Sequence, residues 1–244
     1  MNVIARSALC VPVLALLAAC GRGDASANAK PSTPERPATT ASSNGVLAPP
    51  ATTPTGARDS LTDRADRGRI MGDSTASTWL VIASDFQCPF CKRWHDEAFV
   101  PLVRDYVRTK RLRVAYLNFP LSQHQHAMPA AEAAMCASVQ GKFWEMGDAL
   151  FASQPKWEEL ATARPVFDSL AMRLGVAMPA WRDCMDKHSM VALIQSDRDR
   201  ARAAGAPSTP TFFIANHMLV GAAPWPQFRD SIDAVLKASG TTKP

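Results

Sequence analysis

Two cysteines separated by two residues give the clearest chemical signal in the chain. Cys88 and Cys91 lie in the stretch SDFQCPFCKRW, residues 84–94, and Pro89 directly follows the first of them. A cysteine pair with this spacing can bind a metal ion, close a small structural disulfide, or exchange electrons with other thiols. The surrounding sequence has to discriminate among these three kinds of site.

A metal site and a structural disulfide are both disfavoured. Structural zinc sites usually draw their other ligands from a second closely spaced pair, and the chain has no second C-x-x-C. The remaining candidate ligands, among them His95, Cys136 and Cys184, are not at zinc-finger spacing. Covalent haem attachment needs a histidine after the second cysteine, where this chain has Lys92. A disulfide between cysteines this close would stabilise the fold little. From the missing metal and haem ligands, we predict neither a metal nor a cofactor.

The position of Cys88 favours a redox role. An apolar run at Trp79–Ala83 predicts a buried strand, and a helical pattern begins directly after Cys88. A thiol at a helix N-terminus faces unpaired N–H groups and the positive end of the helix dipole, which stabilise the reactive thiolate. Pro89 suits the first helical turn, where its missing N–H costs no hydrogen bond. Cys91, one turn further on, can then attack a mixed disulfide at an exposed Cys88.

Strand and helix patterns alternate along the rest of the chain. Apolar segments of strand length are predicted at Trp79–Ala83, 113–119, 211–215 and 218–220. A helix with an apolar stripe from Phe90 to Tyr106 follows the first strand, and Pro101 is expected to kink it. A helical region at about residues 125–205 separates the second strand from the third, and an amphipathic helix closes the pattern. We therefore predict an α/β fold with a helical subdomain, about residues 122–206, inserted into a small sheet.

The first twenty residues have the features of an export signal. Arg6 precedes an apolar run that is too short to span a membrane and that ends in Leu17-Ala18-Ala19-Cys20. This ending resembles the bacterial lipoprotein box, so we expect residues 1–19 to be removed as a lipoprotein signal peptide and Cys20 to be lipidated. Cleavage without lipidation at Ala25-Ser26-Ala27 is the alternative.

A polar segment separates this signal from the folded part. Residues 20–60 are mostly Ala, Ser, Thr, Pro and Gly with isolated charges, so we predict a disordered tether. Residues 61–244 have the length of one ordinary domain. The net charge of +5 is modest, and basic residues are interspersed with acidic ones rather than with aromatics. This pattern argues against nucleic-acid binding.

Three separated motifs resemble the DsbA-like thioredoxin-fold family. They are Phe86-Gln87-Cys88-Pro89-Phe90-Cys91, the stretch His126–Phe151, and the stretch Gly205–Phe213, which contains Pro207-Ser208-Thr209-Pro210-Thr211. The resemblance covers about Arg69–Leu236, nearly all of the predicted folded part. It implies a thioredoxin fold with an inserted helical subdomain, and thiol–disulfide exchange as the activity.

The resemblance also implies roles for individual residues. Cys88 would be the nucleophile, and Cys91 would be the resolving cysteine that releases the bound partner. A cis peptide bond is implied between Thr209 and Pro210, packed against the active-site cysteines. The backbone of Thr209 would then bind a substrate segment as an added strand.

One position departs from the family pattern in a way that bears on proton transfer. Many members carry a buried acid six residues before the nucleophile, where this chain has Ile82. Asp85 is closer in sequence, but strand alternation places it on the other face, so we interpret it as a cap at the strand end. We therefore expect no carboxylate relay to the resolving cysteine, and water or the nearby cation Lys92 would take its place.

The dipeptide between the cysteines, Pro89 and Phe90, is expected to shape the active site. Strongly oxidising family members have a histidine at the second of these positions, and Phe90 can neither carry charge nor donate a hydrogen bond. We therefore expect a redox potential between about −270 mV and about −120 mV, the values of thioredoxin and DsbA. Phe86, Phe90 and Trp225 are candidates for an apolar substrate-binding surface around Cys88, whereas Trp94 is assigned to the core.

Two further cysteines lie in the predicted insert. Buried free thiols are one interpretation of Cys136 and Cys184, because free cysteine behaves as a small hydrophobic residue. The export signal favours the other interpretation, a structural disulfide between them, and some members of the resembled family have a comparable pair. His95, two turns after the first active-site cysteine, could face the active-site cleft, but we favour a solvent-facing helix position for it.

These features predict an exported thiol–disulfide oxidoreductase, most simply an oxidase, on the periplasmic side of the cell envelope. Its substrates would be cysteine-containing exported proteins, a membrane quinone-linked partner would reoxidise it, and the lipid on Cys20 would hold it to a membrane. A monomer is expected because no dimerisation domain is recognisable before Leu61. Two alternatives remain: a reductase or isomerase kept reduced by a membrane electron donor, and a non-catalytic binding lipoprotein, against which the intact cysteine pair argues.

Overall fold

A mixed sheet forms the centre of the described part of the chain. The computed structural model describes residues 60–238 and Gly240, so the predicted signal peptide, Cys20 and the tether up to residue 59 lie outside it. The strands are β1 (Ile70–Met71), β2 (Trp79–Ser84), β3 (Arg113–Asn118), β4 (Thr211–Ile214) and β5 (His217–Val220). Their order in the sheet is β1-β3-β2-β4-β5, with β2 and β3 parallel and the other neighbours antiparallel. The α/β class and the four predicted strands are confirmed, with shifts of one residue at some ends.

The register of the sheet positions the cysteine motif. Strand β2 lies between β3 and β4, and its burial on both faces explains the continuous apolar run in its sequence. Ala83 near the end of β2 pairs with Thr211 at the start of the antiparallel strand β4. The chain leaving β2 therefore lies beside the chain entering β4, which brings the turn before Cys88 next to Thr209 and Pro210.

Helices surround the sheet and form the insert. They are α1 (Leu61–Gly68), α2 (Pro89–Trp94), α3 (Val100–Leu102), α4 (Ala127–Ser138), α5 (Phe143–Ser153), α6 (Arg164–Arg173), α7 (Met178–Asp186), α8 (Val191–Ala203) and α9 (Trp225–Ala238). Helices α4 to α8 confirm the predicted helical insert. None of the helices at residues 60–238 is long and apolar enough to cross a membrane.

The helix after Cys88 is not the single kinked helix that the sequence predicts. Helices α2 and α3 are joined by a π-helical segment at His95–Phe99, and a second π-helical segment follows at Val103–Val107. Pro101 lies in α3 between the two segments. Because proline cannot donate a helical hydrogen bond and its ring crowds the preceding turn, widened π turns on either side accommodate it.

Helix α4 is the centre of the insert. Its alanine-rich sequence is buried on almost every side, and it packs against α1 and against α5 to α8. Cys136 of α4 forms a disulfide with Cys184 of α7, with the two Cα atoms 5.8 Å apart. The insert is thus joined covalently across 48 residues of chain.

The first helix and first strand were not predicted from the sequence. Helix α1 begins with a capping box in which Ser60 and Asp63 each bond the other's backbone N–H. Strand β1 has only two residues and pairs with the edge of β3. The Ser60-x-x-Asp63 pattern was the available signal for the helix, whereas so short a strand carries no periodicity that could be detected.

Candidate active site

Cys88 occupies the N-cap position of α2. Its backbone is extended, and its N–H donates to the carbonyl oxygen of Asp85 at 3.1 Å while its own carbonyl accepts from Lys92 at 3.1 Å. The prediction of an exposed Cys88 is wrong, because the residue is only 3% exposed. The cover comes from tertiary neighbours: the Cys88 Sγ lies 3.5 Å from the carbonyl oxygen of Thr209, and the amide of Gln154 donates to the Cys88 carbonyl at 3.3 Å.

The two thiols have very different affinities for a proton. A hydrogen bond from Cys91 is the largest contribution that lowers the pKa of Cys88, from 9.0 to about 6. The Thr209 hydroxyl and the backbone N–H groups of Phe90 and Cys91 also lower this pKa, against the effect of burial. Burial raises the pKa of Cys91 well above its ordinary value, and the neighbouring Cys88 raises it further. Cys88 is therefore the thiolate at neutral pH, and Cys91 retains its proton.

Thr209 and Pro210 stand opposite this thiol pair. The peptide bond between them is cis, as the family resemblance implies. Thr209 is 5% exposed, and its buried hydroxyl has no hydrogen-bond partner in the part of the chain that the structure describes. This hydroxyl is thus free to donate to the Cys88 thiolate, in line with its effect on the pKa of that residue.

Asp85 caps the end of β2, as predicted, and also bonds the loop after β3. Its Oδ1 accepts the backbone N–H of Gln87 at 2.8 Å, which confirms the predicted cap. Its Oδ2 accepts the backbone N–H of Leu121 at 2.9 Å and lies 2.7 Å from Nδ1 of His124. The Asp85 side chain is completely buried. Its carboxylate therefore bonds both the turn before the cysteines and the loop after β3 in a site closed to bulk solvent.

A small apolar pocket lies beside Cys91. Cys91, Trp94 and His95 line it on one side, and Gly147 and Phe151 of α5 line it on the other. The prediction that His95 faces solvent is wrong, because its side chain is only 17% exposed. Its Nε2 lies 2.9 Å from Asp148 Oδ1, and its ring packs on Phe99 and Phe151.

The predicted apolar surface around Cys88 is reduced to one exposed aromatic ring. Phe90 is 54% exposed and carries the guanidinium of Arg93 over its ring. Phe86 is 1% exposed and belongs to the core, as does Trp94, for which burial was expected. Trp225 is half-buried and packs edge-to-face on Tyr106. Phe86 was misassigned because it sits in the turn after β2, where Tyr116, Phe143 and Phe151 enclose it.

Three neighbours of the thiols were missed by the sequence analysis or given another role. Gln154 and His124 approach from the insert and from the loop before it, and neither lies in a recognisable motif. Lys92, suggested as a cation near the thiols, forms an ion pair with Asp96 at 2.6 Å instead. Within residues 60–238, no three His, Cys, Asp or Glu side chains are placed to hold a metal ion.

The cysteine pair lies at a helix start, beside a cis-proline segment and under a helical insert. This arrangement is that of a DsbA-like thioredoxin fold. The chain belongs to the thioredoxin family, whose sequence model matches residues 64–234. The oxidised BdbD of Bacillus subtilis has a TM-score of 0.63 at 20% identity, covering 70% of this chain and 94% of BdbD. Wolbachia pipientis alpha-DsbA1 also has a TM-score of 0.63 at 20% identity, covering 71% of this chain and 92% of that protein. These similarities establish the fold.

The curated proteins that are similar in sequence are named as Na(+)/H(+) antiporters. The chain is 33% identical over 150 residues to the Na(+)/H(+) antiporter NhaA 3 of Salinispora tropica, covering 61% of this chain and 22% of the antiporter. The NhaA 1 antiporter of Salinispora arenicola matches with the same identity and coverage. The chain thus spans about a fifth of the length of the curated relatives it matches.

Proposed function

We propose that the chain is an exported thiol–disulfide oxidoreductase that acts as an oxidase of cysteine-containing exported proteins. The observation that carries this proposal is the unequal pair of thiols, with a pKa of about 6 for Cys88 and a much higher pKa for the buried Cys91. One ready nucleophile and leaving group, with a protonated second thiol beside it, is what directional disulfide exchange requires.

The geometry supports a defined order of bond changes. In the disulfide form, a substrate thiolate attacks Cys88 Sγ, the bond to Cys91 breaks, and Cys91 leaves as a thiolate that takes up a proton. A second substrate thiolate then attacks the substrate sulfur of the mixed disulfide, and Cys88 leaves as a thiolate. Two electrons pass from the substrate to the protein, and the substrate gains a disulfide. The low pKa of Cys88 makes it a good leaving group in the second step.

The direction of electron flow is inferred from the same pKa. A Cys88 pKa of about 6 lies between about 7 for thioredoxin and about 3.5 for DsbA. Stabilisation of the thiolate stabilises the reduced form, so a lower pKa corresponds to a more oxidising disulfide. We therefore retain the expectation of a potential between about −270 mV and about −120 mV. A membrane quinone-linked partner is proposed as the acceptor that reoxidises the pair.

Location is proposed from the N-terminal sequence. An export signal at residues 1–19, a lipid on Cys20 and a tether up to residue 60 would hold the domain on the periplasmic side of a membrane. The disulfide between Cys136 and Cys184 supports an oxidising compartment, because disulfides persist there and are rare in the cytosol. The antiport activity named for the NhaA relatives is not transferred, since the similarity covers about a fifth of those proteins.

A redox titration tests the proposal. The full-length protein is equilibrated in glutathione buffers, and free thiols are counted by mass tagging. We expect one reversible two-thiol transition at Cys88 and Cys91, with a midpoint between about −270 mV and about −120 mV. In parallel, Cys91→Ala should accumulate mixed disulfides with reduced substrate proteins at Cys88, whereas Cys88→Ala should accumulate none.

The possible outcomes separate the candidate functions. A midpoint close to that of thioredoxin would replace the oxidase with the reductase or isomerase alternative. No reversible transition, together with no trapped partner for Cys91→Ala, would reject the enzyme and leave the binding lipoprotein.

A further inference from the structure

The loop after β3 is bound to the turn that leads into Cys88. The backbone N–H of Leu121 and Nδ1 of His124 lie 2.9 Å and 2.7 Å from Asp85 Oδ2. The backbone N–H of His126 donates to Oε1 of Gln87 at 2.6 Å. Three contacts therefore hold residues 121–126 along residues 85–87, directly beside the active-site thiol.

The charge of Asp85 makes this contact electrostatically important. The carboxylate is fully buried, and the backbone of the same residue accepts the N–H of Cys88 at 3.1 Å. A negative charge on a residue bonded to the Cys88 backbone opposes formation of the Cys88 thiolate, and this opposition is stronger where water is excluded. The titratable side chain bonded to this carboxylate is that of His124, which is 18% exposed.

The surroundings of His124 favour its charged form. The hydrogen bond to Asp85 raises the pKa of His124 above 6.5, against the effect of burial. The negative charges of Asp85, Cys88 and Glu158 add to this increase. By reciprocity, a histidine whose protonation is favoured by the Cys88 thiolate favours that thiolate in return.

We propose that His124 is the residue that tunes the redox potential of the Cys88–Cys91 pair, by neutralising Asp85 next to the thiolate. It would supply from a neighbouring loop the positive charge that Phe90 cannot supply between the cysteines. His124 acts through Asp85 and through space, so it is a positioning and tuning residue rather than a catalytic one. This inference rests on the proposed thiol–disulfide exchange and adds a residue that sets the redox potential of the cysteine pair.

The proposal has a specific consequence for pH dependence. The thiolate raises the proton affinity of His124, so reduction of the disulfide takes up part of a proton on this ring. The potential should therefore fall more steeply with rising pH in the range where His124 titrates, above 6.5, than it does without the histidine. Once His124 is deprotonated, the charge of Asp85 is uncompensated and the Cys88 thiolate is less favoured.

The test compares His124→Asn with the wild-type full-length protein. Asn retains a side-chain N–H for Asp85 and removes the titratable charge. We expect the pKa of Cys88, followed by thiolate absorbance in a Cys91→Ala background, to rise by about half a unit to one unit. With Cys91 restored, we expect the equilibrium constant for oxidation of glutathione to fall roughly three- to tenfold, and the steeper pH slope to disappear.

His188→Asn is the matched control. His188 also pairs with a buried carboxylate, its Nδ1 lying 2.9 Å from Glu132 Oε2, but it belongs to the turn between α7 and α8. Its left-handed backbone conformation suits asparagine, so this variant should fold and leave the Cys88 pKa and the redox equilibrium unchanged. Thermal melting of both variants verifies that they are folded, and His124→Gln replaces His124→Asn if the latter does not fold.

A double-mutant cycle with Asp85→Asn isolates the charge effect. When Asp85 is neutral, removal of His124 should change the Cys88 pKa by less than half of its effect in the wild type. The proposal is overturned if His124→Asn and His188→Asn give the same potential, the same Cys88 pKa and the same pH slope. Failure of the proposed function looks different, because the wild-type protein itself would then show no reversible dithiol transition.

Discussion

The Sγ atom of Cys88 lies 3.5 Å from the carbonyl oxygen of Thr209. The same threonine places its otherwise unpartnered hydroxyl near the thiol and precedes Pro210 at the entrance to β4. A substrate segment that pairs with the Thr209 backbone as an added strand would bring its sulfur to Cys88. Substrate binding and thiolate stabilisation would then depend on the same residue.

The first prediction concerns the pH dependence of Cys88. Because its pKa is about 6 rather than 9.0, the alkylation rate of the reduced protein should rise with a midpoint near pH 6 and level off above neutrality. The thiolate stabilises the folded reduced state fully above pH 9 and loses this effect as the pH falls through 6. Rates of iodoacetamide labelling at Cys88, read by peptide mass spectrometry, check the midpoint.

Thr209→Val provides the matched variant for this measurement. Valine has the shape of threonine but no hydroxyl, so one donor to the thiolate is lost and the midpoint should move upward by about half a unit to one unit. A midpoint near 9 in the wild type would show that Cys88 is an ordinary thiol. An unchanged midpoint in Thr209→Val would assign the stabilisation to Cys91 and the backbone alone.

A second prediction concerns the dipeptide between the cysteines. Phe90 is 54% exposed, so a histidine fits there without disturbing the core. Phe90→His places a donor and a partial positive charge near the helix start, and it should make the pair more oxidising by roughly 30 mV, a tenfold change in equilibrium constant. Glutathione equilibria of wild type, Phe90→His and the neutral control Phe90→Gln measure the effect. Equal redox potentials for the wild type, Phe90→His and Phe90→Gln would mean that the side chain at position 90 does not affect the stability of the thiolate.

Local sequence was sufficient to predict the framework of the site. The strand at Trp79–Ser84, the cysteine at the following helix start and the Thr209–Pro210 segment each lie in short motifs whose structure depends on near neighbours. The insert was predictable because its helices carry apolar residues over a long stretch without strand signals.

What surrounds the thiols was not predictable, because it depends on distant contacts. The Asp85–His124 pair joins residues 39 apart, and Gln154 reaches the Cys88 carbonyl across 66 residues. Neither contact leaves a periodic pattern. His95 is covered by Asp148 and Phe151 of α5, which are more than fifty residues away in the chain.

A third prediction concerns Arg69, which is fully buried between α1 and β1. Its guanidinium contacts Asp66 and Asp197, and Asn118 also donates to Asp197 Oδ2 at 2.9 Å. Asp197→Asn removes the fully buried partner of Arg69 and leaves only the partly exposed Asp66, so it should lower the free energy of unfolding by up to about 3–5 kcal/mol. The exposed pair Arg229–Asp230 gives the control, since Asp230→Asn should change stability by less than about 1 kcal/mol.

Urea unfolding followed by circular dichroism measures both effects. The double variant Arg69→Met/Asp197→Leu removes both charges of the buried pair, so it should be more stable than Asp197→Asn. If Asp197→Asn and Asp230→Asn proved equally stable, the buried pair would be energetically equivalent to a surface one.

The fourth prediction concerns the disulfide between Cys136 and Cys184. The bond closes a loop of 48 residues between α4 and α7, so the chain-entropy model gives it about 4 kcal/mol of stabilisation through the unfolded state. Cys136→Ala/Cys184→Ala should therefore unfold at a temperature lower by roughly 8–16 °C, as expected for a domain of this size. Because both cysteines lie on helices of the insert, α4 and α7, the redox equilibrium of the Cys88–Cys91 pair should change less than twofold. A melting temperature equal to that of the wild type would show that the two thiols are not bonded in the purified protein, and a large change in the redox equilibrium would show that the insert transmits strain to the active site.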